Sequence, residues 1–329
     1  MITTFKKILT SLFAKPAASE AELPAREVPQ FPSYICLETT NACNLRCVQC
    51  LYKGGTTEHY RGSVGFIDTN LAKKTLDELK AYHAGVMLNG DGEALLHPEF
   101  HQIAGYAVSL GLPSVYFNTN GTLFTRAFTD KFVTYFKGSV SISLDGFKES
   151  HERIRVGSSY DLVIDNIKYL QERIQQTDAD IKIGVAYCNY DQPAGERDAF
   201  VEYWVDKVDV VSIGEVYDKN YQIISNRLNH PENPKRIMCG VPWQTFIVRW
   251  DGKVIPCSNC FSLNDTDDQI LGDALTHSLY DIWHGVKSSL LRAKTEAWEL
   301  QGTICEACDR WNMYVLFETE EQDDVTISR

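Results

Sequence analysis

The sequence predicts an α/β fold of six strand–helix units followed by a smaller, cysteine-bearing C-terminal segment. Three observations carry this. From about residue 34 to residue 220, short β-branched or apolar runs alternate with longer segments of helical periodicity. The pattern then changes to a hairpin signal around Asp251-Gly252 and one amphipathic helix. Hydrophobic residues make up 44% of the 329 residues, enough for the core of one barrel-sized domain with an appendage.

Residues 1–33 read as an appendage and linker. Phe5, Leu9, Leu12 and Phe13 share one helical face, with Lys6 and Lys7 beside it, before a stretch rich in Ala, Glu and Pro. Strands are expected at 34–40, 85–91, 114–120, 139–145, 181–189 and 209–217, and helices at 69–83, 100–110, 125–136, 160–175 and 194–207. Six such alternations argue a parallel sheet covered by helices, either doubly wound and open or a barrel short of two units. In the third and fourth strands Val115, Phe117, Val140, Ile142 and Leu144 fall on the helix-facing side. Tyr116, Asn118, Asn120, Ser141, Ser143 and Asp145 share the other side, a polar face that suits a reaction chamber better than a sealed core. Beyond residue 220, strands at 245–250 and 253–257 form the hairpin, a helix covers 278–294, and an acidic tail from about residue 318 is expected to fray. The expected divisions are therefore 1–33, 34–220, 221–317 and 318–329.

Composition excludes several classes. Net charge is −12 without a long Lys/Arg run, which argues against a nucleic-acid partner. No apolar run is long enough to span a bilayer, and no signal peptide is visible, so a cytoplasmic location is expected. Ten cysteines in a reducing compartment point to metal binding or catalysis rather than disulfides.

Three of them, Cys43, Cys47 and Cys50, lie directly after the first strand in the spacing C-x3-C-x2-C. A loop can wrap three thiolates around one iron–sulfur cube and leave its fourth iron open to another ligand. Zinc would want a fourth protein ligand, and the nearest, His59, sits at an awkward distance in the chain. Cys239, Cys257, Cys260, Cys305 and Cys308 form a second set. Two readings compete for it. Cys257-x2-Cys260 and Cys305-x2-Cys308 make a four-thiolate zinc site, or Cys239, Cys257, Cys305 and Cys308 hold a second [4Fe–4S] cluster.

The first motif, at the end of the first strand, resembles the radical S-adenosylmethionine (SAM) superfamily, with Gln49 where an aromatic residue is common. Gly90-Asp91-Gly92-Glu93-Ala94, after the second strand, resembles that family's Gly-Gly-Glu-Pro segment. Asn118-Thr119-Asn120-Gly121 and Ser143-Leu144-Asp145-Gly146 resemble segments lining its SAM site, and Arg153 or Arg155 lies where an arginine meets the SAM carboxylate. The resemblance implies a partial (β/α)6 TIM-like barrel and a [4Fe–4S] cluster on Cys43, Cys47 and Cys50. It also implies SAM held by Gly90, Asp91, Gly92, Glu93, Asn118, Asn120, Ser143, Asp145 and Arg155. Reductive cleavage to a 5′-deoxyadenosyl radical would follow, with a flavodoxin- or ferredoxin-type electron donor. Cys239-x12-Gly252-x4-Cys257 is similar to the start of the SPASM/twitch extension. There are too few cysteines for two auxiliary clusters, so the resemblance implies a twitch domain with one, on Cys239, Cys257, Cys305 and Cys308. Enzymes of the 2-deoxy-scyllo-inosamine dehydrogenase type share this arrangement.

The reaction class then turns on the substrate radical. An electron passed to the auxiliary cluster gives dehydrogenation, whereas a hydrogen returned by a protein thiol gives epimerisation. Cys188 and Cys260 are the candidate thiols, and Cys36 reads as structural. Glu38, Asn118, Asp145, Glu215 and Tyr217, with Tyr116 as a wall, suit a polyhydroxylated small molecule such as a sugar or cyclitol. A peptide is the runner-up, and a zinc-stabilised binding protein the non-enzymatic alternative.

Overall fold

A computed structural model describes residues 27–50, 64–216, 238–260, 269–303, 305, 306, 308, 320–322 and 325–327, of which Glu215, Asn259, 320–322 and 325–327 are described by their backbone alone. The helix expected around Phe5–Phe13, His59 and Tyr217 lie outside these residues.

Six parallel strands appear where alternation places them: β1 (Tyr34–Leu37), β2 (Gly85–Met87), β3 (Val115–Thr119), β4 (Gly138–Ser143), β5 (Ile181–Asn189) and β6 (Val210–Glu215). Each pairs with the next in chain order, so the sequence of strands never reverses. A doubly wound sheet would reverse at a switch point, and a barrel does not. The sheet runs on without closing, which makes it a partial barrel.

Helices α1 (Thr69–Ala81), α2 (Phe100–Ser109), α3 (Arg126–Phe132), α4 (Lys148–Ile154), α5 (Tyr160–Thr177) and α6 (Glu196–Trp204) connect the strands. Asp68, Thr125 and Ser159 cap α1, α3 and α5 by accepting first-turn backbone N–H groups. The core lies between the sheet and these helices. Phe117 is wholly buried at its centre, with the rings of Phe100, Phe124, Phe132 and Phe136 at centroid distances of 5.0, 6.4, 5.8 and 5.5 Å. Val140, Ile142 and Leu144 share this core, as the alternation predicts.

The C-terminal segment extends the same sheet. β7 (Ile247–Val248) pairs parallel with the free edge of β1, and β8 (Lys253–Ile255) and β9 (Gly272–Asp273) follow antiparallel. Cys36 N–H donates to the Phe246 carbonyl at 3.2 Å and Glu38 N–H to the Val248 carbonyl at 2.8 Å. The chain before β1 docks beside them: Trp283 Nε1 donates to the Pro29 carbonyl at 2.8 Å, and Phe31 stacks on Tyr82 at 4.4 Å. No helix among the described residues is long and apolar enough to cross a membrane.

Several elements differ from expectation. The helix expected over 278–294 is two, α7 (Leu279–His284) and α8 (Val286–Glu296). Gly285 divides them in an extended conformation, with φ −67° and ψ 167°. α4 was not expected, because its buried residues are Ser150, His151 and Ile154, and polar side chains carry no apolar period. The tail expected to fray contains a short antiparallel pair, β10 (Glu320–Gln322) and β11 (Val325–Ile327). The β-branched run Val325-Thr326-Ile327 favours it.

Phe117→Ala should destabilise the fold by about 3–5 kcal/mol in urea unfolding, the range for emptying a packed aromatic site. A loss near zero would show that the helix layer does not depend on this ring cluster.

Candidate active site

The polar chain leaving β1 forms the cysteine loop. Leu45 is its buried anchor, and the Arg46 and Val48 N–H groups donate to the Val156 and Ile154 carbonyls at 2.9 and 2.8 Å. Thr40 Oγ1 accepts from Ala42 N–H at 2.9 Å and donates to the Gly65 carbonyl at 2.6 Å. Asn120 Nδ2 donates to Asn44 Oδ1 at 2.8 Å, which ties the loop to the end of β3. Cys43, Cys47 and Cys50 are all half-buried. Burial pushes the Cys47 thiol up to about 11, the nearby Cys50 and Cys43 add to the rise, and the Arg155 guanidinium opposes it. The three thiols therefore share one electrostatic neighbourhood. Such thiols are held protonated at neutral pH unless a metal displaces the protons, which suits an iron–sulfur cluster.

The segment after β2 packs directly on this loop. A Cβ on Gly92 would lie 2.2 Å from the Ala42 carbonyl oxygen, so only glycine fits there. Glu93 N–H donates to the same carbonyl at 2.7 Å. The Glu93 carboxylate turns away into the protein, where it accepts from Thr119 Oγ1 and Asn120 N–H, each at 2.7 Å. Burial pushes its carboxyl up, and those hydrogen bonds oppose the shift. Of the segment predicted to hold SAM, the Glu93 side chain is thus a tie between strands. Gly90, Asp91 and Gly92 present backbone.

At the ends of β4 and β5, Asp145 is fully buried in a left-handed backbone conformation, φ 60°. Its Oδ2 accepts from Arg155 Nη2 at 2.8 Å and from Gln49 Nε2 at 2.5 Å, and its Oδ1 accepts from Cys188 N–H at 2.8 Å. Arg155 thus enters the site, whereas Arg153 points outward and pairs with Asp191 at 2.6 Å. Arg155 Nε and Gln49 Oε1, on the two side chains that share Asp145 Oδ2, are buried without a hydrogen-bond partner. An unpaired guanidinium N–H beside the cysteine loop fits a carboxylate-bearing ligand such as SAM. His151 supports the turn from below. Its Nδ1 donates to the Leu144 carbonyl at 2.5 Å, and its Nε2 accepts from Ser158 Oγ at 2.8 Å.

The inner face of the sheet carries a chain of neutral polar groups. Tyr116 hydrogen-bonds Asn118 and Ser141, Asn118 N–H donates to Asn89 Oδ1 at 2.6 Å, and Cys36 Sγ donates to the Asn89 carbonyl at 3.0 Å. Ser143 is half-buried on the same side. Next to this wall the face turns apolar, with Cys36, Ile247, Ile255 and Cys260 packed together and Met87 and Cys257 beside them.

The second cysteine set meets that apolar patch. Cys260 is only 2% exposed, and its thiol is pushed well up by a hydrogen bond to Cys257 and by burial, with Cys305 also nearby. Cys257, Cys260 and Cys305 therefore sit together, so the thiol set aside as spare lies within the auxiliary group. Cys239 and Cys308 are half-buried. Cys188 lies apart, half-buried beside Asp145 and Arg155.

Sequence reasoning missed the contacts of Gln49, the role of Asn89 and the support from His151. The departure at Gln49 was visible, but its partner Asp145 lies 96 residues away.

A partial barrel, a three-thiol loop after its first strand and a glycine segment packed on that loop together define a SAM-dependent iron–sulfur protein. Residues 37–181 match the Radical SAM superfamily, and residues 239–309 match the SPASM iron–sulfur cluster-binding domain. The chain carries a radical SAM domain and a SPASM domain. Its cofactors are accordingly SAM, a SAM-binding [4Fe–4S] cluster and an auxiliary iron–sulfur cluster.

The chain is 34% identical over 125 residues to the AdoMet-dependent heme synthase of Methanosarcina barkeri, covering 38% of this chain and 34% of that protein. It is 32% identical over 154 residues to the mycofactocin maturase MftC of Mycobacterium tuberculosis, covering 46% of this chain and 37% of that protein. The matched part thus spans little more than a third of either relative. The fold is shared with BtrN in complex with AdoMet and 2-DOIA, at TM-score 0.56 and 19% identity, over 90% of this chain and 99% of that one. It is also shared with Streptococcus suis SuiB bound to S-adenosylmethionine, at TM-score 0.64 and 15% identity, over 92% and 77%.

Burial pushes the His151 imidazole down to about 4, with the Arg155 charge acting in the same direction. The unfolded chain then binds the extra proton first, so His151 should lower stability as pH falls from 6.5 towards about 4. Urea unfolding of wild type and His151→Asn across this window checks it. Parallel pH curves for the two proteins would refute the assignment.

Proposed function

We propose that this chain dehydrogenates a sugar- or cyclitol-type alcohol, with Cys43, Cys47 and Cys50 holding the SAM-binding cluster. Cys239, Cys257, Cys305 and Cys308 hold the auxiliary cluster that accepts the substrate's electron. When bound, these groups supply a 5′-deoxyadenosyl radical that takes one hydrogen atom and an acceptor for the electron left behind. The alcohol loses its hydroxyl proton as the carbonyl forms. The backbone of Gly90–Gly92 receives the SAM amino group, and the free Nε of Arg155 receives its carboxylate. Asp145 keeps Arg155 in place from below. Reducing electrons come from a flavodoxin- or ferredoxin-type donor.

The observation that carries the substrate class is the neutral hydrogen-bonding wall of Ser141, Tyr116, Asn118 and Asn89. Hydroxyl groups need both donors and acceptors without a fixed charge, and amides and hydroxyls offer both. The wall borders the apolar patch that contains Cys257 and Cys260, which supports electron transfer to that side. A second reading, epimerisation, is supported by the half-buried Cys188 beside Asp145, where a thiol can return hydrogen to a substrate radical. A peptide substrate is the next candidate, since Streptococcus suis SuiB, which shares the fold, is bound to a precursor peptide.

Metal analysis after anaerobic reconstitution tests the cluster assignment. Wild type should hold about eight irons, and the Cys43/Cys47/Cys50→Ala triple variant about four. About four irons with one zinc would remove the auxiliary acceptor and favour a redox-neutral reaction. Zinc without iron would overturn the ligand assignment altogether.

A further inference from the structure

Glu38 follows β1 and is 1% exposed, yet its carboxylate points to neither a lysine nor an arginine hydrogen bond. Each of its oxygens instead accepts a backbone N–H from a different part of the molecule. Oε1 accepts from Asp91 at 3.0 Å, in the glycine segment after β2. Oε2 accepts from Trp250 at 3.2 Å, just beyond β7 in the C-terminal hairpin. The Glu38 N–H donates to the Val248 carbonyl at 2.8 Å. One residue therefore joins the first strand, the glycine segment and the hairpin. Arg249 lends a favourable charge from the hairpin, and Asp251 an unfavourable one.

The fit is close. A Cβ on Gly90 would lie 2.2 Å from Glu38 Cγ and 2.6 Å from Oε1, so the Glu38 side chain fills the space that any larger residue at 90 would need. At its other end the segment is fixed by Glu93 N–H on the Ala42 carbonyl. Its backbone therefore hangs between two anchors, the cysteine loop and Glu38. A buried carboxylate needs charge-assisted partners, and losing either N–H leaves it short of one.

We propose that Glu38 is a positioning residue for SAM: it sets the backbone of Gly90–Asp91 and makes that setting depend on the docked SPASM hairpin. This rests on the reading that the glycine segment receives SAM. Glu38→Gln keeps the shape but replaces one acceptor oxygen with an NH2 that must face an N–H. Glu38→Ala removes both acceptors.

Two measurements test it. In protein without cofactor, hydrogen exchange at the Asp91 and Trp250 amides should accelerate at least tenfold in Glu38→Gln, while amides in α5 keep their rates. In cluster-loaded protein of unchanged iron content, SAM affinity should fall about tenfold. A double-variant cycle separates positioning from general damage. Gly90→Ala should weaken SAM binding in wild type and cost less in the Glu38→Ala background, where the contacts to Cγ and Oε1 are gone and only the 2.8 Å approach to Cβ remains. Equal losses in both backgrounds, or unchanged exchange and affinity in Glu38→Gln, would overturn the role of Glu38. A wild type with intact clusters that fails to bind SAM would overturn the functional reading itself.

Discussion

An open barrel leaves its first strand with one unpaired edge, and the placement of the whole C-terminal segment follows from how that edge is satisfied. A bare edge exposes a row of N–H and C=O groups ready to pair with another chain. Here β7 takes the edge of β1 in parallel, and β8 and β9 continue the sheet. The inward-facing side chains of β1 and of the hairpin then share one surface, so Cys36, Ile247 and Ile255 pack together. The second thiol group therefore packs against the strand that leads into the first.

Above that sheet the site is organised by three buried carboxylates: Glu38, Glu93 and Asp145. Each accepts at least one backbone N–H at a strand end, and each links two segments distant in sequence. Such groups are costly unless fully partnered, which makes their geometry strict. Of the three, Asp145 alone also pairs with a cation, Arg155, and beside it Arg155 Nε and Gln49 Oε1 are buried without a hydrogen-bond partner. The other two carboxylates shape backbone, and Asp145 holds the Arg155 side chain.

Much of this was legible in the chain. The six parallel strands declare themselves because each is a short apolar run, and the cysteine loop because its spacing leaves few other uses. What was not legible is non-local or polar. The parallel pairing of Cys36 with Ile247 has no local signal, since nothing in either strand names its neighbour. α4 buries a serine and a histidine, which erases its period. Gly285 was visible inside the predicted helix, but a lone glycine is often tolerated there, and only packing shows the break. Cys260 was set aside on motif spacing, and its contact with Cys257 is a matter of fold. Arg153 and Arg155 were equivalent in sequence, and burial separated them.

The apolar patch between the polar wall and the auxiliary thiols has one more implication. Hydroxyl and amide groups can pass a proton along by exchanging donors and acceptors. A seam of Ile247 and Ile255 carries no group that could relay a proton. Under the proposed dehydrogenation, a substrate lying against both would have its departing proton and electron sorted by direction, the proton leaving by the wall and the electron crossing the apolar seam. Charge separation would then be built into the lining of the chamber.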